Sequence, residues 1–126
     1  MTYIEVFLAQ CGNFIAVLVT HLLGNQVETL RTVRQQPSDR NRAAEFAVDD
    51  ASQADLVTLV DKARAVLVEL APEITSAQLD RLVRRPAAPD TVYSGLYQLK
   101  HSITHAREHL GQIWMTRDLW KANSGA

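Results

Sequence analysis

Apolar residues recur along this chain at helical rather than strand spacing. Residues 3–11 carry Tyr3, Ile4, Val6, Phe7, Leu8 and Cys11 with few breakers, and read as a helix or a helical lead-in. Gly12-Asn13 then interrupts. Asn13 suits an N-cap, because its side-chain oxygen can accept from an orphan N–H of the next turn. From Phe14 to about Thr32 a second helix is expected, apolar nearly all round in its first half. Such a helix lies between neighbours rather than on a surface. The β-branched Ile15, Val17 and Val19 would also suit a strand, but the run continues through His21-Leu22-Leu23, and Val27, Leu30 and Val33 keep helical spacing. Gly24 lowers helix propensity and points to a kink or a close approach.

Residues 35–51 read as a long polar connection in which Phe46 and Val48 are the only large apolar residues. Connections of that length often pack over a site. Ser52-Gln53-Ala54-Asp55 fits a capping box. Leu56, Val60, Ala63, Leu67 and Leu70 follow in the cleanest amphipathic pattern of the chain, ending near Pro72. Thr75-Ser76-Ala77-Gln78 opens a short helix to about Val83, and Arg84 to Pro89, with two prolines, reads as a loop. Asp90 or Thr91 is expected to cap a last helix to about Lys121, whose apolar stripe is Leu96, Leu99, Ile103, Ala106, Leu110 and Ile113. No segment alternates for long, so no sheet is expected. The expectation is one all-α domain over residues 1–126, with three long helices and some short ones in an antiparallel bundle.

The bulk numbers narrow function. A chain of 126 residues with 47% hydrophobic and 21% charged residues suits one globular domain. Thirteen basic and fourteen acidic residues leave a net charge of −1, which gives no electrostatic handle for nucleic acid. Arg40-Asn41-Arg42 and Arg84-Arg85 are short and read as solvated loop charge. The single cysteine, Cys11, cannot form an internal disulfide, and a reducing compartment suits it; without a basic neighbour it reads as a buried, inert thiol. No run is long enough to span a bilayer, and Met1-Thr2-Tyr3-Ile4-Glu5 lacks a basic leader. A cytoplasmic location is the simplest expectation. No Gly-x-Ser-x-Gly elbow and no Gly-rich phosphate loop occurs. Trp114 and Trp120 suit packing at the end of the last helix or at an interface.

Histidine carries the candidate chemistry. His101, His105 and His109 follow one another at intervals of four, and His21 lies in the most apolar helix. Residues four apart on a helix share a face, so His105 and His109 can present two imidazoles to one ion. At about 100° per residue they border the apolar stripe, whereas His101 points outward. A buried imidazole needs a partner, which makes His21 the natural third ligand. Three neutral imidazoles suit Zn²⁺, Ni²⁺ or Fe²⁺ and leave a coordination position open. Chance spacing on the last helix, with His21 a hydrogen-bonded core residue, is the competing explanation. Ala106-Arg107 after His105 removes the H-E-x-x-H pattern and its general base.

The stretch Gly12-Asn13-Phe14-Ile15-Ala16-Val17-Leu18-Val19-Thr20-His21-Leu22-Leu23-Gly24-Asn25 resembles the DinB/YfiT-like superfamily of bacterial metal-binding four-helix bundles, in its branch with an N-S-I-A…H-L-x-G-N segment. Arg40-Asn41-Arg42-Ala43-Ala44-Glu45-Phe46 is similar to the R-N-R-D-x-E-F loop of that branch, and His105-Ala106-Arg107-Glu108-His109-Leu110-Gly111-Gln112 to its H-x-x-x-H-x-G-Q signature. The three segments follow one another in the right order within residues 12–120. The resemblance implies a metal on His21, His105 and His109, with His101 outside the set. It also implies a homodimer, as is frequent among members. Some of these are transferases or isomerases that use low-molecular-weight thiols, and others are hydrolases. Ala43 stands where the loop usually has Asp. The family usually has a full helix and a loop before the first metal histidine, whereas 20 residues precede His21 here. A four-helix bundle whose first helix is shortened, or supplied by a partner chain, is therefore expected. A three-helix remnant would expose an apolar groove, and such grooves mark interfaces. A homodimer, with exchange of helices between protomers as one of its forms, follows as an expectation.

Two functions remain in view. One is a metal-dependent hydrolase or thiol transferase acting on a small-molecule electrophile, with Asn25, Gln112 and Arg42 orienting ligands or substrate; surface or loop hydrogen bonding is the bland alternative for those three. The other is a non-catalytic dimerisation module with a structural or vestigial ion. Neither nucleic acid nor membrane is an expected partner.

Overall fold

The computed structural model describes residues 3–86 and 88–125, with side chains from Asn13 onward. Helices hold 73% of the chain, so the helical class expected from the pattern is observed. Helix α1 spans Tyr3–Val33, α2 Arg42–Phe46, α3 Gln53–Leu70, α4 Ser76–Asp80 and α5 Gly95–Ser124. Strands β1 (Leu82–Arg85) and β2 (Ala88–Ser94) form a small antiparallel sheet, with Val83 opposite Tyr93 and an irregularity at Arg84/Arg85. Among the described residues no helix is long and apolar enough to cross a membrane.

Helix α1 is the organising element. Both α5 and α3 pack on it, while α3 and α5 hardly touch each other. Ala16, Leu18, Leu30 and Val33 of α1 are buried, with Ala63 and Leu70 of α3 and Val83 of β1. The apolar run itself is covered only in part: of Phe14–Val19, Ala16 and Leu18 are buried, Ile15, Val17 and Val19 are half-buried and Phe14 is 47% exposed, so the expectation of a helix enclosed on all sides does not hold there. Helix α3 begins at the expected capping box. The Ser52 hydroxyl accepts from the Asp55 N–H at 3.1 Å, and the Asp55 carboxylate accepts from the Ser52 N–H at 2.9 Å. A second capping box, Thr75 with Gln78, opens α4.

Several expectations are corrected. Gly12-Asn13 does not break the chain, because α1 is continuous from Tyr3 to Val33 and Asn13 is a helix-interior residue. One Gly costs about 1 kcal/mol of helix propensity, less than packing along a long helix returns. The Cys11 side chain lies outside the described residues. The short helix ends at Asp80 rather than Val83, and the stretch read as a loop is the β1–β2 hairpin. Leu82, Val83, Val92 and Tyr93 are good strand formers, and the chain reversal at Pro86 lets them pair. Neither Asp90 nor Thr91 caps the last helix. Ser94 does, its hydroxyl accepting from the Tyr97 N–H at 3.2 Å. Gly95 is required beside it, since a Cβ there would overlap the Gln78 carbonyl.

The largest correction concerns α5. Its packed face carries Gln98, Ser102, His105, His109 and Thr116, while Leu96, Ile103 and Leu110 of the apolar stripe are 49%, 59% and 39% exposed. The polar face of the helix, not its apolar face, meets α1. The reason is the tie of buried polar contacts made there, beginning with Ser102 Oγ, which donates to Asn25 Oδ1 at 2.9 Å.

Candidate metal centre

His21 lies midway along α1 and is buried, whereas His105 and His109 lie one turn apart on α5 and are half-buried. Antiparallel packing of the two long helices brings the three side chains together. The Nε2 atoms of His21 and His105 are 3.2 Å apart, and those of His105 and His109 are 3.0 Å apart. One ligand atom from each residue lies within 4.8 Å of the other two, close enough to hold a metal ion. For Zn–N bonds of about 2.05 Å, tetrahedral angles separate nitrogens by about 3.3 Å and octahedral angles by about 2.9 Å. The His21–His105 and His105–His109 separations fall in that range.

The outer nitrogens decide which way the lone pairs point. His21 Nδ1 donates to Glu45 Oε1 at 3.1 Å. His109 Nδ1 donates to Gln112 Oε1 at 2.7 Å, with Gln112 presenting its carbonyl oxygen. A neutral imidazole carries one N–H, so Nε2 of both residues is left as an acceptor. Both acceptors face His105 Nε2, which has at most one proton to offer. Three such nitrogens cannot satisfy one another, and a cation at their centre resolves the conflict. The donor set therefore fits a metal ion on its own chemistry.

Burial, first of all, lowers the pKa of His21 below its ordinary 6.5; the hydrogen bond to Glu45 opposes this and the Arg40 charge adds to it. Burial likewise pushes His105 down to about 4, helped by the neighbouring His109 and His21. Both imidazoles are neutral near pH 7, the state in which nitrogen is a ligand.

Behind His21 lies a chain of alternating charges. Arg40 clasps Glu45 with two hydrogen bonds, Nε to Oε2 and Nη2 to Oε1, each 2.8 Å long. Its Nη1 reaches Glu28 Oε2 at 2.8 Å, and Arg85 Nη2 stands 3.8 Å from the same oxygen while donating to Thr29 Oγ1 at 3.0 Å. Glu28 and Glu45 are 3% and 6% exposed, so their pairing is required. Burial works against the Arg40 charge, but the two carboxylates more than offset it and its pKa lies above the ordinary arginine value. Arg40 Nη2 also lies 3.3 Å from His21 Nδ1. Two donors cannot bond each other, and Glu45 takes the imidazole proton. Helix α2 positions Glu45, with Asn41 as its N-cap. Gly24 makes the approach possible, because a Cβ there would overlap the Glu45 carboxylate.

Of the residues singled out in the sequence, His21, His105 and His109 converge, and His101 is exposed with its ring 6.4 Å from that of His105. Gln112 holds His109. Asn25 is buried one turn after His21, and its side-chain oxygen accepts from Ser102. Arg42 is exposed, stacks 5.3 Å over the Phe46 ring and takes no part in the cluster. Arg40 and Arg85, expected to be solvated loop charges, are instead folded in, their side chains 7% and 14% exposed, because they pair with buried carboxylates; Glu45 was visible only as part of the loop segment of the resemblance, and Glu28 was passed over. One signal was present: Glu28 lies seven residues after His21, two turns along the same face of a helix where a charge needs a partner.

These observations define a mostly helical protein with a three-histidine cluster able to hold a metal ion. The chain belongs to the family described as Protein of unknown function (DUF1572), whose model matches residues 2–124. No curated protein and no solved structure matches the chain.

Proposed function

We propose that this chain is a divalent-metal protein of the DinB/YfiT-like kind, with His21, His105 and His109 as ligands, that activates water or a low-molecular-weight thiol for attack on a small electrophile. The observation that carries the reading is the convergence of three Nε2 atoms while Glu45 and Gln112 hold the Nδ1 protons of two of the rings. When bound, a Zn²⁺, Ni²⁺ or Fe²⁺ ion supplies a Lewis acid with an open position, which lowers the pKa of water or thiol there. The chain's own residues do the rest. Glu45 fixes the tautomer of His21, Arg40 fixes Glu45, and Gln112 fixes His109, so the lone pairs stay aimed at one point.

A second reading has its own support. The exposed Leu96, Ile103 and Leu110 favour an interaction module in which the ion is structural. Elemental analysis of purified protein, with His105→Ala and His109→Ala, tests the metal site. One ion per chain, lost in both variants with helical circular dichroism retained, is expected. Wild-type protein that takes up no Zn²⁺, Ni²⁺ or Fe²⁺ at micromolar concentration overturns it. Co²⁺-loaded protein separates the two readings. A shift of its visible spectrum on adding a small thiol supports the open position, and an unchanged spectrum supports the structural ion.

A further inference from the structure

Beside the metal centre lies a second space that none of the three histidines lines. It is a cavity of about 480 Å³ between α1, α3 and residues 38–48, which include α2. Its apolar walls are Leu23 and Val27 of α1, Val48 of the connection, and Leu59, Ala63 and Val66 of α3. All of these except Ala63 are half-buried, so the fold leaves this apolar surface partly uncovered. Glu28, Arg40 and Glu45 line the same space. An apolar cavity of this size with a few fixed polar groups is the usual form of a small-molecule site.

The hydrogen bonds in the wall select the head group. Both oxygens of Glu45 are taken, by Arg40 and His21. All three guanidinium nitrogens of Arg40 donate to Glu28 or Glu45. Thr20 donates to the Ala16 carbonyl, and Arg31 pairs with Asp39. Glu28 differs. Its Oε2 accepts from Arg40 at 2.8 Å, but its Oε1 accepts from no described residue. A carboxylate 3% exposed needs a donor on each oxygen, and the cavity it lines is where a donor can enter. Charge narrows the choice further. Glu28 and Glu45 are balanced by Arg40 and Arg85. A cationic head would unbalance that set, and an anionic head would face the Glu28 carboxylate; each leaves a buried charge unpaired. Lys62 lines the cavity too, but it is exposed and water serves its charge. We infer that the cavity binds a small, neutral, largely apolar molecule whose hydroxyl donates to Glu28 Oε1. None of its contacts is a metal ligand, so the site stands whether or not an ion is bound.

Four probes that share one ring and differ in the head test this: benzyl alcohol, toluene, benzylamine and benzoate. Methyl NMR spectra of the purified chain report where each one binds. Benzyl alcohol at millimolar concentration should shift the methyl signals of Leu23, Val27, Leu59 and Val66 and leave those of Leu30 and Leu99 in place. It should bind about tenfold more tightly than toluene, the ratio that a hydrogen bond to a charged acceptor supplies. Benzylamine and benzoate should bind more weakly than the alcohol. Ala63→Leu fills the space from α3 and should abolish the shifts with helical circular dichroism retained. Val66→Phe, at a half-buried position, should do the same and serves if Ala63→Leu fails to fold. No shift of the cavity methyls with any probe overturns the site, as do shifts that persist in the folded filled variants. Equal binding of toluene and benzyl alcohol overturns the hydroxyl contact, as does tighter binding of the amine or the acid.

Discussion

His21 and His105 are separated by 84 residues, yet their Nε2 atoms lie 3.2 Å apart. Burial keeps both rings neutral, and the Glu45 carboxylate behind His21 turns its lone pair toward His105. Everything proposed for the centre follows from that meeting.

Glu45 orients a ligand without being one. In Glu45→Gln the amide oxygen can still accept from His21 Nδ1, but the charge pairing with Arg40 is lost. Loss of an outer partner of this kind typically costs about 10–100-fold in metal affinity. Competition titration with a chromophoric chelator should find a drop of that size, with metal stoichiometry unchanged at saturation.

Gly24→Ala should act through the same carboxylate. Its new methyl group enters the space held by Glu45, which Arg40 grips on both oxygens and cannot easily release. Although Ala is the better helix former by about 1 kcal/mol, thermal melting should show net destabilisation and the chelator titration a weakened site. A more stable variant with unchanged affinity would show that Glu45 is not held where it is described.

The pH dependence of metal-free protein has a defined sign. His105 titrates near 4 in the folded chain and near 6.5 when unfolded, and His21 is shifted in the same direction. Below about pH 6.5 the unfolded chain takes up protons that the folded chain refuses. Stability is therefore full above that value, falls as pH drops toward about 4, and levels off below it as far as His105 is concerned. Urea midpoints for metal-free protein should be lower at pH 5 than at pH 7.5, and His105→Ala should flatten the difference.

Arg40→Ala leaves Glu28 and Glu45 buried with far less positive charge between them. Removing one partner from a buried ionic network typically costs about 3–5 kcal/mol. Denaturant unfolding should show a loss of that order. Arg42→Ala, on an exposed side chain stacked over Phe46, should change stability by less than about 1 kcal/mol and leave metal affinity untouched.

Much of this was legible in the chain itself. The capping box at Ser52 and the 4-3 spacing from Leu56 to Leu70 specify α3, because a cap and a period are local properties. The helical spacing of the apolar residues in α1 announces a helix, and intervals of four place His105 and His109 on one face. The β1–β2 hairpin was missed because its strands are four and seven residues long, too short for alternation to stand out.

Local pattern settled where the long helices run and which imidazoles share a face. Packing alone decided which side of each helix meets its neighbour. On α5 the apolar stripe was expected to be the inner face, but buried polar groups at Ser102, His105 and His109 demand partners, and Asn25 and His21 are where those partners lie. The pairing of Arg40 with Glu28 and Glu45 was likewise decided in three dimensions. A charge in a polar connection looks solvated until the fold closes over it, and only burial turns it from surface decoration into the support of a ligand.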